Sequence, residues 1–159
     1  MKQLNLIEFQ SPIGKVFVIK EGQRKTRRPL STRHPIHIIL KSASRHLRRN
    51  ERQISREWLR LAKKFGVKTY QFALASDHIH AAVRLHSREL YRQFIQALTG
   101  TLARKLKIKW LMRPVTRIGA WGRDFKRLIQ YIKLNWLEAE GFLQYQPRRT
   151  RGLPDWVKL

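Results

Sequence analysis

The hydrophobic pattern of this chain predicts an α+β fold in which helices pack against an antiparallel sheet. Three observations predict it. Short apolar runs of period two recur at residues 35–41, 67–75, 78–84 and 115–121, as in half-buried strands. Longer runs between and after them place apolar residues three and four apart, as amphipathic helices do. Ser76 and Asp77 alone separate the second run from the third, a link that suits an antiparallel hairpin.

Taken in order, the chain opens with Val16-Phe17-Val18-Ile19 after the turn signal Pro12-Ile13-Gly14, an edge strand or a hairpin arm. Residues 21–33 are rich in Arg and Lys, carry Gly22 and Pro29, and read as a basic linker. Together, residues 1–34 form a basic N-terminal extension. The strand at 35–41 sets Ile36, Ile38 and Leu40 on one face and His37 and Ile39 on the other. His37, taken alone, reads as a packed or surface residue. Asn50 followed by Gln53 is a variant of the capping box, although Ser42 or Ser44 offers an earlier start. The helix that follows carries the stripe Ile54, Trp58, Leu61, Ala62 and Phe65, and Gly66 ends it.

In the second strand Tyr70, Phe72 and Leu74 alternate against Thr69, Gln71 and Ala73. After the third strand Ser87 caps a long helix whose stripe, from Leu90 and Tyr91 through Phe94, Ile95, Leu98 and Leu102 to Leu106, is core. The fourth strand ends between Gly119 and Gly122. From Asp124 a last helix turns Phe125, Leu128, Ile129, Ile132 and Trp136 inward and sets Asp124, Tyr131, Asn135 and Glu138 on an adjacent face. The resulting order is a ferredoxin-like βαββαβ antiparallel sheet with an additional C-terminal helix carrying Tyr131. Residues 35–142 make this domain, and residues 143–159 form a basic tail expected on the surface or on DNA.

Composition narrows the function. The 159 residues suffice for one domain with a core. There is no cysteine, which excludes disulfides and thiolate metal sites. No apolar run approaches membrane-spanning length and the N-terminus lacks a signal-peptide core, so a cytoplasmic protein is expected, nucleoid-associated if bacterial. Thirty-five Lys and Arg against ten Asp and Glu give a net charge of +25, which calls for a polyanionic partner, and nucleic acid fits. The basic residues are spread along the whole chain rather than gathered on one amphipathic helix, which disfavours a membrane surface.

The chemistry lies in Asp77-His78-Ile79-His80. Strand alternation puts His78 and His80 on one face, where two imidazoles can bind a divalent ion. Asn135 supplies a third ligand, and Tyr131, one helical turn away on the same face, is placed as a nucleophile. Mixed nitrogen and oxygen ligands fit Mg²⁺ or Mn²⁺. Arg45, Arg48, Arg49 and Arg52 are candidate phosphate contacts, or simply a solvated helix face.

The His-hydrophobic-His strand followed by Tyr-x-x-x-Asn on a helix resembles the HUH single-tyrosine transposases, including the REP-associated group. The resemblance covers residues 35–142. It implies metal-dependent cleavage of single-stranded DNA through a 5′-phosphotyrosine on Tyr131, strand transfer, and imperfect hairpins as targets, by a monomer or a homodimer. Asp77 stands where an Asn often precedes the first histidine in that family. Two other readings share the fold: a catalytically silent hairpin-DNA-binding relative, and an RNA-binding protein with aromatic residues on exposed sheet positions.

Overall fold

A computed structural model describes residues 7–10, 16–19 and 29–144. Strands β1 (Ile7–Gln10) and β2 (Val16–Ile19) pair as an antiparallel hairpin, with Ile7 opposite Ile19 and Gln10 opposite Val16. This hairpin belongs to one compact unit, and Pro29–Gln144 forms another. The predicted linker falls mostly, and the C-terminal tail almost wholly, outside the described residues.

The second unit is built on β3 (Ile36–Lys41), β4 (Lys68–Leu74), β5 (His78–Arg84) and β6 (Val115–Ile118), in the spatial order β4-β5-β3-β6 with all neighbours antiparallel. Helices α1 (Glu51–Lys64) and α2 (Arg88–Leu106) connect the strands, and α3 (Arg123–Glu140) follows the last one. This is the expected βαββαβ order with its extra helix.

One face of the sheet makes the main core. Ile36, Ile38 and Leu40 of β3 and Ile79, Ala81 and Val83 of β5 pack against Ile54, Trp58 and Leu61 of α1 and Phe94, Leu98 and Leu102 of α2. Burying each large side chain contributes about 1.5–3 kcal/mol. Trp58 meets Phe94 edge to face at 5.2 Å, and its indole N–H donates to Thr69 Oγ1 at 3.0 Å. At the rim, Glu57 accepts from Lys105 of α2 at 2.6 Å and from Arg60 at 2.7 Å, tying the two helices together.

Local chemistry explains the element ends. Ser87 Oγ accepts from the Leu90 amide, as its capping role requires. Gly66 ends α1 at φ +63, a conformation that strains any residue with a Cβ. Asn50 departs from expectation: it precedes α1, but its Nδ2 donates to the His46 carbonyl and its side chain caps nothing. A 3-10 turn at Arg48–Asn50 leads into the helix instead, so the amide has a closer carbonyl to serve.

The alternation of β4 is also corrected. The register against β5 shifts between Thr69 and Gln71, making Tyr70 the extra residue of a bulge. Thr69 thereby joins Phe72 on the core side, while Tyr70 packs with the α3 cluster.

The opposite face is covered by α3. Ile132 sits on Ala73 of β4 and Ala82 of β5, with Leu128, Ile129, Tyr131 and Trp136 around it. Two alanines leave little side chain between strand and helix, so α3 lies close on the sheet.

Phe94→Ala should cost about 3–5 kcal/mol, because it empties the centre of the main core. Urea denaturation measures the loss.

Candidate active site

On β5 the side chains of His78, His80 and Ala82 point away from the main core, toward α3. His78 is half-buried and His80 is 4 % exposed. Their rings lie 4.6 Å apart and nearly perpendicular. Each is held at Nδ1. His78 Nδ1 bonds Asp77 Oδ1 at 2.6 Å, and His80 Nδ1 lies 3.0 Å from His37 Nε2.

His37 is there because β3 alternates as β5 does: with Ile36 and Ile38 committed to the core, His37 must face α3. It is 8 % exposed and stacks on His80 with ring centroids 5.2 Å apart. The ring of Tyr131 closes the group edge-on, 5.5 Å from His80 and 5.8 Å from His37. Asn135 follows one turn along α3, and its Nδ2 donates to the Tyr131 carbonyl at 2.7 Å. Two cations share this face by register: Lys41 opposite His78, and Arg117 of β6 opposite His37.

Burial dominates the electrostatics. It pulls the His37 pKa down to about 3, with Arg117 and His78 adding to the effect, so His37 is neutral at physiological pH. Burial also lowers Arg117, which Asp124 partly offsets.

The structure thus brings His78, His80 and Tyr131 together, with Asn135 about 6 Å further along the helix axis than Tyr131. Of the candidate phosphate contacts, Arg45, Arg49 and Arg52 are exposed, while Arg48 is bonded to Glu140 of α3 at 2.8 Å. Sequence reasoning missed His37. Its signal was parity: His37 opposes the core stripe of its own strand, and the face opposite the core is the one that carries His78 and His80.

Residues 31–128 match a family model described as transposase, IS200 like. The chain belongs to the IS200-like transposase family. That membership places it among the HUH single-tyrosine transposases, and the match ends at residue 128, ahead of Tyr131 and Asn135. A REP-associated tyrosine transposase solved with a REP hairpin shares the fold, with a TM-score of 0.59 at 15% identity over 77% of each chain. A chain assigned as a transposase of Deinococcus radiodurans R1 aligns at TM-score 0.47 and 15% identity, over 74% of this chain and 98% of that one. No curated protein matches the sequence significantly.

The residue types gathered on this face could suit a divalent ion. With Nδ1 of both imidazoles tied back, Nε2 is the atom each would present to a metal. With Nδ2 of Asn135 bonded to the helix, its Oδ1 is the atom to ligate. Among the described residues no group of three or more His, Cys, Asp or Glu is arranged to hold a metal, so an ion at His78 and His80 would need the Asn135 amide as a further ligand. No helix among the described residues is long and apolar enough to cross a membrane.

The site carries a cost in acid. The folded chain holds His37 neutral down to about pH 3, whereas the unfolded chain protonates it near 6.5. The unfolded state therefore binds more protons between those values. Stability is full above about 6.5 and falls as pH drops toward 3, with a limiting slope of about 1.4 kcal/mol per pH unit. Glu57, lowered by its bonds to Lys105 and Arg60, adds a loss in the same direction below its ordinary 4.5. Urea denaturation between pH 7 and 5 should show the decline, and His37→Phe should flatten it.

Proposed function

We propose that the protein cleaves and rejoins single-stranded DNA, with Tyr131 as the nucleophile and hairpin-containing DNA as the substrate. The observation that carries this reading is the packing of the Tyr131 ring edge-on against His80, 5.5 Å away. The tyrosine oxygen attacks the scissile phosphorus, the bond to the 3′ oxygen breaks, and that oxygen leaves with a proton as a 3′-hydroxyl. A 5′-phosphotyrosine remains. Attack on it by the 3′-hydroxyl of a second strand restores Tyr131 and joins the strands, so bond energy is conserved and no nucleotide cofactor is consumed.

Mg²⁺ or Mn²⁺ on His78, His80 and Asn135 would supply a Lewis acid against the phosphate charge. The remaining work belongs to the chain. Asn135 ties its amide to the turn that presents Tyr131. Lys41 and Arg117 put positive charge on the same face, where it favours the phosphate. Arg45, Arg49 and Arg52 hold flanking phosphates, and Arg48 positions its turn against the end of α3 through Glu140. His80 and Tyr131 meet within one chain, which supports a site built in cis.

Hairpin specificity is supported by the REP hairpin bound to the structural neighbour, and nucleic-acid binding by the +25 charge. A sheet covered by helices on both faces leaves little room for the RNA-binding reading, which needs exposed aromatic residues on a sheet.

Labelled hairpin DNA incubated with Mn²⁺ should give a covalent protein adduct on denaturing gels. Tyr131→Phe and chelation should each abolish it while hairpin binding stays within a few-fold of wild type. An adduct that persists in Tyr131→Phe would refute the assignment.

A further inference from the structure

The bond between His37 and His80 joins two imidazoles on different strands, both nearly excluded from water. Neither ring reached this place by hydrophobic selection, since the same positions would pack with apolar side chains. A buried imidazole pair is stable only when one nitrogen donates and the other accepts. The pair therefore has two possible arrangements, with opposite consequences for His80. If His37 donates, His80 carries its proton on Nε2, and that nitrogen has no lone pair for a metal. If His80 donates from Nδ1, its Nε2 is a ligand.

We propose that His37 is a positioning residue for the metal site, accepting at Nε2 a hydrogen bond from His80 Nδ1–H and so fixing the tautomer that presents His80 Nε2 to a divalent cation. This rests on the reading of His78, His80 and Asn135 as ligands. Three observations support it. The 3.0 Å separation and near-parallel rings, 21° apart, hold the two nitrogens in line within the sheet. His37 is fixed on its other side as well, in register with Arg117 on the next strand. His78 shows the same device with a different partner, its Nδ1 held by the Asp77 carboxylate. Each candidate imidazole ligand then has a dedicated acceptor behind it, Asp77 from the hairpin turn and His37 from the neighbouring strand. Free imidazole side chains favour the proton on Nε2, so without His37 the ring would lose its preset form and also its orientation toward Tyr131.

The test uses the full chain with two variants. His37→Phe keeps a ring of the same shape but removes the acceptor, and His37→Gln restores an oxygen at about the reach of Nε2. In the metal-free protein, long-range 1H–15N spectra of the imidazoles report the tautomer directly. Wild type and His37→Gln should show His80 protonated on Nδ1, and His37→Phe should shift it to Nε2–H. Mn²⁺ titration followed by calorimetry should show affinity falling about 10- to 100-fold in His37→Phe and recovering most of the way in His37→Gln. Thermal melts confirm that all three proteins are folded. If wild-type His80 carries its proton on Nε2, or if His37→Phe binds Mn²⁺ as tightly as wild type, the positioning role is overturned. If wild type binds no Mn²⁺ at all, the ligand assignment itself fails, and the positioning role with it, which is a separate and recognisable result.

Discussion

A buried polar contact on the face of a sheet, the His37 to His80 bond, constrains much of this structure. Imidazoles enclosed by protein must hydrogen-bond to one another or to the chain, or lose about 1–3 kcal/mol for each unsatisfied group. Satisfying them fixes the register of β3 on β5, since a slip of one residue would turn His37 into the main core and Ile36 toward α3. The same register sets Lys41 against His78 and Arg117 against His37, so the charge distribution of the site follows from strand pairing. The contacts that stabilise the sheet also set the geometry of this side-chain cluster.

The two faces divide the work. The face under α1 and α2 is packed with large aliphatic and aromatic side chains and carries most of the stability. The face under α3 has a smaller apolar patch, in which Ala73 and Ala82 receive Ile132. Side chains of leucine size at those alanines would lift α3 and carry Tyr131 away from His80. The distance between the Tyr131 ring and the imidazoles is thus set by how closely the helix can approach the strand. Arg48, bonded to Glu140, holds the far end of the same helix to the turn before α1.

Much of this was legible in the sequence, for reasons that can be named. Period-two alternation gave the strands of the four-stranded sheet, Ser87 and Gly66 marked a helix start and a helix end, and the short gap at Ser76 and Asp77 gave the β4–β5 hairpin. Tyr131 and Asn135 could be placed one turn apart on a helix because an i, i+4 pair is a local signal. The β4 bulge escaped because it depends on pairing with β5, which alternation within one strand does not encode. Asn50 misled because its amide can serve either a cap or the nearer His46 carbonyl, and the 3-10 turn decides between them. His37 was passed over because a single histidine forty-three residues away from its partner has no meaning until the strands are paired. Asp77 looked like a departure from the family pattern, and in the fold it is the acceptor behind His78.

The central claim is that one sheet face, walled by α3, assembles a divalent-cation site beside Tyr131. Crystals soaked in Mn²⁺ and measured at the manganese edge test it most directly. The account predicts one strong anomalous peak bound by Nε2 of His78, Nε2 of His80 and Oδ1 of Asn135, at about 2.1–2.3 Å from each. A peak elsewhere on the chain, or coordination through an Nδ1 atom, would contradict it.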